Sequence, residues 1–225
     1  MSEDSDNRVR HSKAEAPKVI LSEEERAERE AANALVQAKR LEEMIEYWTS
    51  EKQQKFRLRP SSILELNRLA IDGLDAFAGN WRPGAIEIQG SKHQPPGAHL
   101  VPELVEQMCD YVNENWEAKR AAHLAAYVMW RMNWIHAFTD GNGRTARAVS
   151  YLILSLRLNF KIPGNPTIPE MITEKREPYY KALEKADALS SAGAPDLSEM
   201  ESLLENLLAR QLLTVVSEAS GNRYP

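Results

Sequence analysis

Apolar residues recur at helical spacing in several separate stretches of this 225-residue chain, while strand-like alternation is confined to one. From Ser22 the segment SEEERAEREAANALVQAKRLEEMIEYW carries two seven-residue series, Ala31, Ala38, Ile45 and Ala34, Leu41, Trp48. They predict a long helix docked by that stripe, with too few heptads for a coiled coil. After KFRLRP, Ser62 and Glu65 have capping-box spacing, and Ile63, Leu66, Leu69, Ala70 and Leu74 follow on one side of a second helix. Pro102 and Glu103 open a third, with Leu104, Val105, Met108, Val112 and Trp116 on one side. AAHLAAYVMWRMNWI is apolar almost all round, as a central buried helix should be, and Thr145 to Leu158 is similar. Two more helices are expected, around Pro178 to Leu189 and from Pro195, where Asp196 and Glu199 again have capping-box spacing. Gly79 and Pro83-Gly84 interrupt the periodicity, and AIEIQGSKHQPPGAHL alternates before meeting Gly90 and Pro95-Pro96, which predicts a short surface hairpin. The pattern as a whole is that of an all-α domain carrying one small hairpin.

Composition narrows this picture. Hydrophobic residues make up 43% and charged residues 27%, an ordinary globular balance. The net charge of -5 argues against a nucleic-acid or anionic-membrane partner. No apolar run reaches the length of a membrane span. One cysteine, Cys109, leaves no internal disulfide framework and no cysteine-built zinc site, and is expected to be a packed side chain. The first residues, MSEDSDNRVRHSKAEAPK, lack the apolar centre of a secretory signal and read as a polar, disordered arm. These features place the protein in the cytoplasm, of its own cell or of one into which it is delivered.

The chemistry concentrates in HAFTDGNGR, residues 136 to 144, between the two most apolar helices. Glycines at 141 and 143 let successive N–H groups face one concavity, and the next helix adds the partial positive charge of its N-terminus. Arg144 and Arg147, three apart, share a face of that helix. Two cations there oppose the dipole at about 0.3–1 kcal/mol each unless an anion joins them. Asp140 is suited to Mg²⁺, which uses one or two carboxylates beside substrate phosphates. His136 is the candidate general base. The spacing is not that of a P-loop. It is not an EF-hand, since Arg144, Thr145 and Tyr151 occupy positions that need an oxygen ligand, Gly and Glu. No second histidine lies at ligand spacing for zinc. Phosphate chemistry is what remains.

These residues resemble the signature of the Fic family, H-x-F-x-[DE]-G-N-G-R-x-x-R: His136, Phe138, Asp140, Gly141, Asn142, Gly143, Arg144 and Arg147 match every fixed position. Ala137 stands where a proline is common. GNWRPGAIEIQGSKHQPP is similar to the family's β-hairpin flap, and REPYYKALEKAD to its adenine-side helix, so the resemblance spans roughly residues 60 to 190. It implies a Fic-like helical bundle with a β-hairpin flap, and transfer of AMP from ATP to a protein hydroxyl with release of pyrophosphate. His136 would take the proton of that hydroxyl, and Phe138 would pack the loop. Asp140 would hold Mg²⁺. Gly141, Asn142, Gly143 and Thr145 would border the phosphates gripped by Arg144 and Arg147. Gly90, Ser91, Lys92 and His93 of the flap would border nucleotide and target, and Tyr179 and Tyr180 the base. Asp187 stands where some relatives carry an Asn that contacts adenine. Gly143 favours AMP transfer, because relatives that phosphorylate carry lysine there. Two alternatives share these residues: a transferase using another nucleotide or phosphodiester donor, and a regulatory module that binds without turnover.

The resulting organisation is an arm at 1–21, a helical extension at 22–55, a Fic core at 56–192 and a C-terminal helix at 193–225. A target protein is expected to dock by strand pairing on the flap. The family's inhibitory motif, [ST]-x-x-x-E-[GN], is absent. Restraint is therefore expected from a separate antitoxin-like protein, if the enzyme is restrained at all. Glu30 and Glu218 are the candidates within the chain.

Overall fold

The computed structural model describes residues 12–14, 19, 21–50, 55–190 and 195–220. Its elements are β1 (Ser12–Ala14), α1 (Glu23–Thr49), α2 (Pro60–Ile71), β2 (Ile86–Ile88), α3 (Val101–Glu114), α4 (Ala121–Ile135), α5 (Asn142–Leu158), α6 (Ile168–Glu174), α7 (Glu177–Ser190) and α8 (Ser198–Ala219), with a 3-10 turn at Ala98–Leu100. The all-α reading holds. α4 and α5 pack on each other at the centre, α1 and α2 cover α5, and α8 covers α4. Leu124, Ala125, Met129, Leu152 and Ile153 are sealed between them. Cys109 is buried on α3, and burial pushes its thiol up to about 12, so it is an inert packed group.

Several local readings need correction. The alternating segment is not a hairpin. β2 pairs antiparallel with β1, Ser12 opposite Ile88 and Ala14 opposite Ile86. Gly90, at φ 77°, turns the chain after β2, and Pro95-Pro96 then offers no N–H groups to a returning strand. Three residues of the arm expected to be disordered are thus in a ladder; the remainder of residues 1–18 lies outside the described residues. The Ser62–Glu65 capping box does not form, because Pro60 sits in the first turn of α2 and Glu65 pairs with Arg40 at 2.8 Å. Asp196 and Glu199 likewise form no box: Asp196 accepts from Ser198 N, and Glu199 pairs with Lys185. Capping boxes occur instead at Ser22–Glu25 and Thr167–Glu170, the latter opening α6, a helix its prolines had hidden.

The stripe expected on α1 docks through its second half alone. Leu41, Met44 and Ile45 are buried, whereas Ala31, Ala34 and Ala38 are exposed. The first half is held by polar contacts: Asn33 Nδ2 donates to Asp72 O at 2.9 Å, and Gln37 Nε2 to Leu66 O at 2.8 Å. α8 is anchored similarly. The amide of Gln211, fully buried, donates to Tyr151 Oη and to the carbonyls of Ile162 and Gly164, and its Oε1 accepts from Ile168 N.

Candidate active site

α4 ends because His136 takes a left-handed conformation, φ 50° and ψ 57°, with its N–H returned to Met132 O. A non-glycine residue there is strained by about 1–2 kcal/mol, so its surroundings must impose it. They do so from several sides. Phe138 is buried with its ring 5.2 Å from that of Trp81. Thr139 Oγ1 donates to Asp75 Oδ1 at 2.8 Å. Asn142 closes the loop on itself, its amide donating to Phe138 O and accepting from Phe138 N. Asn67 of α2, 0% exposed, donates to Asp140 O and Thr145 Oγ1 and accepts from Gly79 N. Gly141, at φ 74°, has no room for a Cβ, which would lie 2.7 Å from Ile71 Cγ2.

The loop opens α5 into a cavity of about 720 Å³. His136, Asp140, Gly141, Asn142, Gly143, Arg144 and Arg147 all line it. So do Ser91 and His93 from the flap, Tyr179 and Tyr180 from α7, and Glu30 from α1. Gly90, Lys92, Thr145 and Glu218 are not on its wall. Thr145 is fully buried, its hydroxyl donating to Gly141 O, which makes it a brace of the loop. Glu218 is exposed at the far end of α8. Asn142 reaches the wall with its side chain already bonded to Phe138, so its contribution to an anion is the backbone of the first helical turn.

The electrostatics divide cleanly. His136 Nδ1 lies 3.3 Å from Asn133 O, and a carbonyl can only accept, so Nδ1 carries the proton and Nε2 the lone pair. Burial pushes the imidazole down to about 4; the bond to Asn133 opposes this, His93 and Arg82 add to it, and Asp140 opposes it. The ring is therefore neutral at physiological pH. Arg147 is lowered chiefly by burial, and Arg176 and Arg144 lower it further while Tyr179 and Tyr180 oppose them. No carboxylate pairs with Arg147 among the described residues. Asp140 and Arg144 pair at 3.2 Å, and Arg144 Nη1 also donates to Ala70 O. Among the described residues no cluster of three or more His, Cys, Asp or Glu could cage a metal. Asp140 alone fits Mg²⁺ in the manner of an ion completed by phosphates and water.

Several wall residues escaped the sequence reading. Arg26, Asn133, Thr173, Arg176 and Leu183 lie on the wall outside the signature. Arg176 lies three residues before Tyr179 and one helical turn before Tyr180, and a cation at that spacing from the aromatic pair is a usable signal. Asn133, on α4, is three residues before His136, one helical step away. Tyr179 and Tyr180 have ring centroids 5.5 Å apart, and Tyr179 is a core residue as well as a wall residue. Asp187, at the same end, accepts from Trp130 Nε1 at 2.9 Å.

Residues 57–154 match the family model described as Fic/DOC family. This stretch of the chain is therefore similar to the Fic/DOC family. It is 28% identical over 147 residues to the Protein adenylyltransferase Fic of Drosophila willistoni, covering 64% of this chain and 27% of that protein. It is 33% identical over 127 residues to the Protein adenylyltransferase fic-1 of Caenorhabditis briggsae, covering 56% and 23%. The chain thus spans about a quarter of the length of these curated relatives. In structure it is similar to Fic-1 (residues 134–508) of C. elegans, TM-score 0.67 at 22% identity, covering 90% of this chain and 55% of that one. It is similar also to a Fic domain containing signaling protein of Bacteroides thetaiotaomicron, TM-score 0.65 at 21% identity, covering 85% and 73%. At these identities the structural likeness establishes the fold.

Proposed function

We propose that this protein is an adenylyltransferase that moves AMP from ATP, with Mg²⁺, onto a hydroxyl side chain of a protein. The observation that carries this reading is one cavity holding a neutral, tautomer-fixed His136 beside the N-terminus of α5 and a half-buried Arg147 with no carboxylate partner among the described residues. Arg147 and the first-turn amides form an electropositive end for the β- and γ-phosphates. Phosphates anchored there leave the α-phosphorus towards His136. Attack needs alignment and charge neutralisation more than covalent help. The acceptor oxygen bonds to the α-phosphorus, its proton passes to His136 Nε2, and the bond to the β-phosphate breaks to release pyrophosphate. Asp140 would hold Mg²⁺, which supplies neutralisation of phosphate charge. Tyr179 and Tyr180 would border the base.

Intact-mass measurement after incubation with each nucleoside triphosphate and Mg²⁺ tests this directly. Addition of AMP from ATP is the expected result; addition of UMP, of phosphate alone or of nothing would replace the reading.

A target protein would dock on the edge of β2 by strand addition, and in this chain it would take the place of Ser12–Ala14. Among the described residues no helix is long and apolar enough to cross a membrane, and the proposed site of action is the cytoplasm. Restraint is assigned to a separate antitoxin-like protein, with Glu30 as the candidate inside the chain. Glu30 is on the cavity wall but pairs with Arg26 of its own helix at 3.5 Å. Glu30→Gly decides between them: activation of self-modification by more than about tenfold, about 1.4 kcal/mol in the transition state, places the restraint here. No change leaves it to the separate protein or to an enzyme that is constitutively active.

A further inference from the structure

Arg82 lies outside the signature and off the cavity wall, yet it joins three parts of the site. It is 2% exposed. Its Nε donates to His136 O at 2.8 Å, its Nη1 to Gly84 O at 2.7 Å, and its Nη2 to Pro96 O. Its backbone N–H donates to Ala137 O at 2.9 Å. Gly84 and Pro96 are the two stems of the flap, one before β2 and one after the turn that follows it. His136 O belongs to the residue held in the left-handed conformation. One planar fork thus fixes the entry of the flap, its exit and the backbone of the general base.

The chemistry of this arrangement is unusual for packing alone. Burial lowers the Arg82 pKa, so placing the cation there is unfavourable, and no carboxylate compensates among the described residues. Every side-chain bond goes to a neutral carbonyl. An apolar side chain could fill the volume but could not bridge three carbonyls. A lysine has no fork with which to do so.

We propose that Arg82 is a positioning residue that ties the flap to the general base, so that an acceptor strand on β2 and His136 Nε2 share one rigid frame. It touches neither nucleotide nor acceptor, and acts through His136 and the flap stems. The inference rests on the adenylyl-transfer reading. If the wild-type protein adds no AMP, that reading fails; if the wild type adds AMP and the variants match it, this inference fails.

The test uses Arg82→Lys and Arg82→Gln in the full chain, with thermal melting as a check on folding. Self-modification supplies kcat, calorimetry with ATP and Mg²⁺ supplies Kd, and hydrogen exchange reports on residues 84–97. The expected result is a kcat lower by roughly tenfold to a hundredfold, the scale of a misplaced catalytic group, with ATP affinity within about twofold of wild type. Lysine should not rescue, because the fork and not the charge does the joining. Exchange in the flap should quicken while that of α4 and α5 stays unchanged. Wild-type kcat in Arg82→Lys, equal losses of turnover and ATP binding, or unchanged flap exchange would each overturn the proposal. If Arg82→Gln does not fold, Arg82→Lys decides, since it retains the cation and much of the volume.

Discussion

The loop 136–141 and the flap face each other across one cavity and are built on opposite principles. The loop is braced from many directions: Asn67 from α2, Asp75 and Trp81 from the segment between, Asn142 from within. The flap has a three-residue ladder with β1 and the Arg82 fork at its stems. The side proposed to position phosphates and base is thus over-determined, and the side proposed to receive a target is lightly held. The proposed reaction, with a constant nucleotide and an acceptor that must come and go, needs that division.

The largest expected effect lies in the loop. His136→Ala should lower AMP transfer by about 10²–10⁴ with ATP binding retained, as read by intact mass and calorimetry, because the base meets the hydroxyl and not the phosphates. Undiminished transfer would remove His136 from its role. Next comes the brace. Asn67→Ala strips three bonds from a fully buried site and should cost roughly 2–3 kcal/mol in urea unfolding; a loss below about 0.5 kcal/mol would show that the loop is not over-determined.

Acid separates activity from stability. His136 sits at about 4 when folded against an ordinary 6.5. Between those values the unfolded chain takes up a proton that the folded chain refuses, so the His136 contribution makes stability fall as pH drops from 6.5 towards 4. Above 6.5 it contributes nothing. The base nevertheless stays neutral through that window, so kcat/KM should be level from pH 8 to about pH 5; an acid limb near 6.5 would show that burial does not control the ring. The smallest effect belongs to the flap. Lys13→Pro, which removes a backbone donor from β1, should change unfolding free energy by no more than about 0.5 kcal/mol. A larger loss would mean that the flap is as firmly built as the loop.

What could be read in the sequence follows the same division. α2 through α5 announce themselves by apolar periodicity, and the signature residues from His136 to Arg147 lie within twelve positions, so one local reading brings them together. The residues that hold them are polar and distant. Asn67 and Arg82 reach partners 73 and 54 residues away, and no spacing rule connects such pairs. The strand partner of β2 was missed for the same reason: local alternation suggests a hairpin, whereas the ladder comes from the other end of a long helix. Asn33 and Gln37 dock α1 through amides that a hydrophobic stripe cannot register.

Gln211 sets the length of the piece that can be handled in the laboratory. The family match ends at residue 154, yet this amide, on the final helix, closes a buried network with Tyr151 inside the match and with Ile162, Gly164 and Ile168 beyond it. A gene trimmed to the matched segment would encode a Tyr151 hydroxyl stripped of its partner and a face of α4 stripped of its cover. The segment that matches the family is shorter than the unit this packing closes, and an expression boundary drawn at the match would cut through its interior.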